Sequence, residues 1–586
     1  MRRSISTRAL VFVLLLLFLA GCNVDVDRSD KPGPDWSRGL RLGRASLRQP
    51  VALAIDASGG SHMAWVGDAL YYAHLDAEAQ VLRNEALALE TPLPRQPQLL
   101  TDGEGRVHLA WLSRQDDVQR LYHRVLYPAE QATPSLLLSQ DDEDVDSYTM
   151  YRTASGSVAF LWGSEHASGE QALVHMRLDA PAERATLAQE GIDPFAVVDQ
   201  AGTVHVAWLR HRGLTAYDVL YATLADSDSG AQLVPAGGLK LTDFETSEGA
   251  LTYGPLIGLD SRTVYVIWAV QNLGGGLTPT AAFSYYLAFP IGSPTPAHAA
   301  TVGLPPTTRP VYEAHQGPYG LTQLEPLSSV GASSSSDLIS APAVAPTQLD
   351  ELAVAFSLMT ESQATREIQI ATAVFSAGKP VGYQLASKTN NASLVPSLAA
   401  DAQDHLYLAW IDTAGFSDYD VYYASAAPGA RNWLDRTTRE VVVQGAAHVL
   451  FGVLSGVGLL PIAGVWSFPA VVFVVVFFII TGQEDMDRRP TRIGFAVAVL
   501  IYIGMKVLLL SGLFASTPFM QQVPPRWATP LGIAVPVLIL AVALLVVYLY
   551  TRRAERATIF KAILILVGVD VTLTLVLYAP GFFGGI

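Results

Sequence analysis

The stretch "GTVHVAWLRHRG", residues 202–213, decides how the middle of this chain is built. In an extended strand successive side chains face opposite ways. Val204, Val206 and Trp208 therefore share one face, and His205 and Ala207 the other. Both faces carry bulky groups, so the strand is packed on both sides. The phrase is not unique. "GSHMAW" (60–65), "GRVHLAW" (105–111), "RTVYVIW" (262–268) and "DHLYLAW" (404–410) repeat it, with weaker copies in "GSVAFLW" (156–162) and "DELAVAF" (350–356).

The markers Trp65, Trp111, Trp162, Trp208, Trp268, Phe356 and Trp410 are 46, 51, 46, 60, 88 and 54 residues apart. Upstream of the clear copies stand a proline and then an aspartate: Pro50 and Asp56, Pro97 and Asp102, Pro194 and Asp199, Pro255 and Asp260, Pro396 and Asp401. Downstream comes an aromatic strand, as in "LYYAHL", "SYYLAF" and "VYYASA". Short strands repeating at about 50 residues are the pattern of propeller blades. The expected fold is an all-β propeller of seven four-stranded blades over 39–445, with an eighth, degenerate blade as the alternative. The long interval is read as an inserted loop at about 301–341. "LRLGRAS" (40–46) resembles an outer strand that would close the ring by joining the last blade.

A residue that recurs in blade after blade answers a need that every blade has. His62, His108 and His205 occupy one slot, filled by Tyr265 and Tyr407 elsewhere, and are read as structural. The unrepeated Arg210, His211 and Arg212 are the candidate ligand loop, with chemistry suited to an anion. "SQDDEDVDSY" (139–148) offers Asp141, Asp142, Asp144 and Asp146 as calcium candidates, although it lacks the glycine and spacing of an EF-hand loop.

Half of the residues are hydrophobic and only 16% are charged, and the apolar excess lies at the two ends of the chain. "MRRSISTRALVFVLLLLFLAGC" has a basic start and a short apolar run, which reads as a signal peptide over 1–21. Residues 22–38 read as a polar tether. From 446 to 586 four apolar blocks are expected to span a membrane as a helical bundle, at about 463–481, 493–513, 530–550 and 562–580. Arg488, Arg489 and Arg492 mark the first connection as cytoplasmic; Arg552, Arg553, Arg556 and Lys561 mark the third. That places the propeller on the extracytoplasmic side of a bacterial cytoplasmic membrane. Lys506 and Asp570 lie within apolar blocks and are read as an intramembrane pair.

The signal peptide ends in Leu19-Ala20-Gly21-Cys22, which resembles a bacterial lipobox. The resemblance implies lipidation of Cys22, the only cysteine in the chain. The blade phrase resembles the repeats of sialidase-like propellers (the BNR or Asp-box group) over about 48–445. It implies the blade fold and stops short of an active site. No Asp box stands in full form, and neither the arginine triad nor the Tyr–Glu pair of that family can be placed. No P-loop, GxGxxG, HExxH or CxxC is present, and no catalytic residue or cofactor is expected. A net charge of −15 argues against nucleic acid. The reading is a membrane-anchored, non-enzymatic propeller that binds an extracellular protein or glycan, in contact with membrane lipid and an integral membrane partner. The alternatives are a sialidase-like glycan hydrolase or lyase at the cell surface, and an accessory subunit of a transport or signalling complex.

Overall fold

The computed structural model describes residues 28–436, 460–514 and 525–578, apart from 129, 131, 167–168, 228–229, 274–278, 308–309, 328–335, 337, 346, 362–365, 416 and 555. Two compact units are formed, one comprising Asp27–Ser362 and Arg366–Arg436, the other including Thr437–Ile586. The first holds seven antiparallel sheets of propeller type. They are blade 1 (52–86), blade 2 (94–137), blade 3 (143–188), blade 4 (192–245), blade 5 (251–301), blade 6 (339–385) and blade 7 (393–425). The first strand of each blade is the innermost, and these strands touch one another in sequence around a closed ring. The fourth strand lies outside, and in blade 1 it is exposed throughout.

Leu40–Ala45 pairs antiparallel with Tyr419–Ser425 and supplies the outer strand of blade 7, as the sequence leads one to expect. Two expectations need correction. The inserted loop is not wholly loop: Glu313–Ala314 and Gln323–Pro326 add two strands outside Lys379–Leu385 of blade 6, and Ile339–Val344 is that blade's innermost strand. It thus widens blade 6 and forms no eighth sheet among the described residues. The tether reading also fails from Arg28 on. Trp36 and Ser37 are fully buried, and the Asp35 carboxylate accepts hydrogen bonds from Thr322 N (2.7 Å) and Gln384 Nε2 (3.0 Å). A buried indole and a multiply bonded carboxylate fasten this segment to blade 6.

The repeat has a physical cause. The seven marker aromatics are all buried, at 2% exposure or less. Four of them stack on a tyrosine of the third strand: Trp65 on Tyr71, Trp111 on Tyr122, Trp268 on Tyr285 and Trp410 on Tyr422, with centroids 5.4–5.8 Å apart. Trp208 faces Leu220 in register and is covered instead by Gly238, whose φ of 80° and missing side chain let the backbone approach the ring.

The repeated aspartate ties the first turn of the blade to its second strand. Asp102 Oδ1 accepts from Glu104 N (2.9 Å) and Arg106 N (2.8 Å), while Oδ2 accepts from His108 Nε2 (2.9 Å). Asp199 with His205 (3.2 Å), Asp260 with the Tyr265 hydroxyl (2.7 Å) and Asp401 with the Tyr407 hydroxyl (3.0 Å) do the same. His205 Nδ1 continues to the Tyr221 hydroxyl at 2.7 Å. Histidine and tyrosine can share the slot because each offers a polar hydrogen at the same reach. Burial holds the His108 and His205 imidazoles below their usual pKa, opposed by Asp102 and Asp199 respectively.

The second unit contains helices α2 (Leu460–Thr481), α3 (Arg489–Phe514), α4 (Pro525–Arg553) and α5 (Ile559–Tyr578); a short α1 (Pro428–Leu434) belongs to the propeller. Within the first three, Gly464–Thr481, Arg489–Leu508 and Ile533–Arg553 are long and apolar enough to cross a membrane. The connection after α2 lies beside the one before α5: Met486 N donates to Ala557 O and Ile559 N to Glu484 O, both at 2.9 Å.

Trp208→Ala should lower the stability of the propeller by about 3–5 kcal/mol, as expected for a large core aromatic. Leu214→Ala, at a side chain 98% exposed on the hairpin of the same blade, should change it by less than about 0.5 kcal/mol. Urea denaturation of both variants checks the difference.

Candidate functional site

The inner strands begin at one face of the ring, and those of blades 2, 4, 5, 6 and 7 share one irregularity near the start. In blade 2 the register shifts between Arg95 and Gln98, in blade 4 between Ile192 and Phe195, in blade 5 between Tyr253 and Leu256. Blades 6 and 7 shift at 340–343 and 394–397. Each bulge puts a residue and a proline opposite the marker aromatic: Gln96-Pro97, Asp193-Pro194, Gly254-Pro255, Ala341-Pro342 and Val395-Pro396. The residue before the proline has a left-handed φ in every case, 46–87° across the set. In blade 3 the bulge is a single residue, Asp146, between Val145 and Ser147. Bulges bend a strand and re-aim its side chains, and they are frequent beside functional sites.

The occupants of this position differ around the ring. At the residue before the bulge proline, blades 2 and 4 carry Gln96 and Asp193, while the bulge of blade 3 places Asp146 two residues before Tyr148, the partner of Trp162. Blades 5, 6 and 7 carry Gly254, Ala341 and Val395. A repeated position that is polar on one side of the ring and apolar on the other distinguishes a sector. Its backbone is held between blades, since Gln96 N donates to Gln49 Oε1 (2.9 Å) and Asp193 N to Ser147 Oγ (2.7 Å).

Asp146 and Asp193 interact across the boundary of blades 3 and 4. Burial pushes the Asp193 carboxyl up to about 7, and the charge of Asp146 adds to the shift. Asp146 is reached by water but crowded by protein; that crowding raises its carboxyl, Asp144 adds to the rise and His211 opposes it. Tyr217 is raised by its burial and by both aspartates. Its ring lies 4.8 Å from His211 and stacks at 5.2 Å on Phe244. The result is an acidic cluster edged by aromatic rings, which can accept hydrogen bonds from donors such as hydroxyl groups. Nearby in the first-strand region, Arg48 Nη2 donates to Gln271 Oε1 (3.2 Å), which links blade 1 to blade 5.

The structure divides the candidate ligand loop. Arg210 Nη2 lies 2.8 Å from Asp218 Oδ2, and Arg212 lies 3.4 Å from Asp243 and 3.8 Å from Glu245. Lys240 completes this network on Asp218. The arginines are therefore neutralised by carboxylates of their own blade and are not a free anion receptor. His211, one residue out of phase, belongs to the Asp146 cluster.

The four calcium candidates do not converge. Asp144 Oδ1 accepts from Gln119 N at 2.8 Å, Asp142 approaches His166 at 3.9 Å, and Asp146 is near enough to Asp193 to raise its carboxyl. Glu143, between them in sequence, is fully buried and bound to Arg184, Trp162 Nε1 and Ser164 Oγ. Cys22 lies outside the described residues. In the helical unit Lys506 Nζ contacts Asp570 Oδ2 and donates to Thr574 Oγ1 at 2.7 Å. The Tyr502 hydroxyl donates to the same Asp570 oxygen (2.6 Å) and accepts from Trp466 Nε1 (3.4 Å). All five side chains are buried.

No protein-family model and no curated protein matches the chain. Among solved structures it is similar to an ulvan lyase from a family of polysaccharide lyases, at 10% identity and TM-score 0.41, covering 68% of this chain and 96% of that one. It is similar also to an α-L-arabinanase from Penicillium chrysogenum (11% identity, TM-score 0.33, 57% and 93% covered). A third is an α-L-arabinofuranosidase from Fusarium graminearum (10% identity, TM-score 0.34, 67% and 98% covered). At such identity the likeness concerns the propeller fold alone.

Asp193→Asn gives a pH signature. A carboxyl whose folded pKa is raised costs stability as pH climbs from its unfolded value, near 3.9, to its folded value, about 7. The Tm of the variant relative to the wild type should therefore rise between about pH 4 and 7 and level off above. A flat difference across that range would remove Asp193 from the cluster.

Proposed function

We propose that this protein is a membrane-held, extracytoplasmic propeller that binds the hydroxyl groups of a glycan at the Asp146–Asp193 cluster. The carrying observation is the break in the repeat: the bulge residue before the proline is polar on blades 2 and 4 and apolar on blades 5 to 7, and blade 3 adds Asp146 beside Asp193. A structural role would recur, whereas an asymmetric ligand needs one sector. Carboxylates that accept from sugar hydroxyls beside a flat ring such as Tyr217 suit a neutral glycan better than an anionic one. In this reading Cys22 carries lipid and the apolar helices, α5 among them, hold the chain in the bacterial cytoplasmic membrane, with room for an integral membrane partner. A glycan hydrolase or lyase is the second reading, favoured by the two interacting carboxyls, since such a pair can divide acid and base roles.

The test is glycan-array binding by the full chain in detergent, followed by titration of any hit. Asp193→Asn and Tyr217→Ala should weaken binding about tenfold or more, as for loss of a charge-assisted hydrogen bond or a ring face. Arg212→Ala should leave it unchanged. New reducing or unsaturated ends on a bound glycan would select the enzyme reading; equal affinity in all variants would eliminate the site. For the topology, cysteines introduced at 220 and 487 should differ on intact spheroplasts. The first should react with an impermeant maleimide and the second only after lysis. Protection at 220 would overturn the orientation.

A further inference from the structure

Blade 1 departs from the repeat at a second place. In blades 2 and 4 the histidine bound to the turn aspartate faces Val125 and Thr223 on the third strand. In blade 1, His62 faces His74. The two imidazoles are stacked with centroids 4.2 Å apart and planes 14° from parallel. Both Nε2 atoms address one oxygen, Asp56 Oδ2, at 3.2 Å from His62 and 3.9 Å from His74. The three ligand atoms lie within 4.8 Å of one another, and this is the one such group of three or more among the described residues.

The surroundings are those of a supported metal site. Asp56 Oδ1 is occupied by Ser58 N (2.8 Å), Ser58 Oγ (2.6 Å) and Gly60 N (2.8 Å), which fixes the carboxylate and leaves Oδ2 directed at the histidines. His62 Nδ1 meets the Tyr72 hydroxyl at 2.7 Å. That hydroxyl can accept from Nδ1–H, which leaves the Nε2 lone pair for a cation; such partners set the tautomer of metal-bound histidines. His62 is fully buried, whereas His74 is 12% exposed, so an ion has a way in from the His74 side. Tyr127 of blade 2 closes another side, its ring 5.0 Å from each imidazole. The second histidine pair of the propeller lacks this geometry. His108 spends Nε2 on Asp102 and Nδ1 on His123 Nε2, so the three groups form a chain and do not converge.

We propose that Asp56, His62 and His74 bind a divalent transition-metal ion, with zinc the class best matched. Two imidazoles and one carboxylate are a common zinc ligand set, and tetrahedral coordination leaves a fourth position for water. Metal–ligand bonds of about 2.0–2.2 Å place ligand atoms about 3.3–3.6 Å apart. The observed separations from Asp56 Oδ2 bracket that spacing, and the His74 ring, partly exposed, would tilt out of its stack on His62 so that both Nε2 lone pairs meet one ion. The ion would clasp the first turn of blade 1 to its second and third strands, beside the seam where blade 7 meets blade 1.

The experiment uses the full chain purified in detergent without a polyhistidine tag. After chelation and dialysis, zinc should raise the Tm, and cobalt(II) should give the visible d–d bands of a tetrahedral site, with about one ion per chain. His74→Ala should abolish the bands and the zinc-dependent Tm increase while keeping a metal-free Tm near that of the chelated wild type, because blades 2 and 4 fold without this histidine. His205→Gln, at the matching slot of blade 4, should keep both signals. Absence of cobalt bands and of bound zinc in the wild-type protein would overturn the proposal, as would full retention of both in His74→Ala.

Discussion

The pairing of Leu40–Ala45 with Tyr419–Ser425 is the constraint on which the propeller depends. Seven twisted sheets around an axis form a stable ring only if the first and last are held together. An open ring would expose the edge of blade 7 and the side of blade 1, where free backbone groups invite pairing with other chains. Here the first strand of the unit becomes the last strand of the final blade, so closure is made of hydrogen bonds between residues nearly 400 positions apart. The segment before it reinforces the seam: Ser37 Oγ accepts from Ser425 N at 3.0 Å, and Arg431 Nη1 donates to Asp35 O at 3.1 Å.

Closure also gives the mouth its character. Because the inner strands all start at one face, their bulges converge there, and side chains distant in sequence meet. Asp146 and Asp193 belong to different blades; only the ring sets them side by side, raises one carboxyl and places Tyr217 and His211 around them. Elsewhere carboxylates are absorbed by structure. Asp102, Asp199, Asp260 and Asp401 hold turns, Glu143 is bound to Arg184, and Asp218 is shared by Arg210 and Lys240. In an acidic protein the informative carboxylates are those without such employment.

The repeats made the blades legible. Trp65 through Trp410 announce the second strands, the turn aspartates announce the first, and both follow from needs that every blade shares. The same logic identifies the histidine–tyrosine slot as structural. The site was much less visible. Arg210 and Arg212 look available in the primary structure, but strand pairing sets Asp218 opposite Arg210 and brings Asp243 and Glu245 within reach. His211 was noticed for its charge and matters for its neighbours. A signal for Asp193 did exist, in the residue before each repeated proline, but its polarity means little until the bulge is known to face the mouth.

What the amino-acid order determined by itself is therefore periodic and local: strand alternation, blade spacing, the turn aspartates, the closing strand and the apolar blocks near the end. These rest on contacts within a blade or a helix, which short sequence windows encode. Tertiary structure alone decided which charges are spent and which remain. It folded the insertion onto blade 6, docked Trp36 and Asp35, joined Asp146 to Asp193, and aimed His62 and His74 at one oxygen of Asp56. Each of these is a meeting between side chains from different strands or blades. The desolvation and coordination geometry that give them chemistry arise only when the ring is closed.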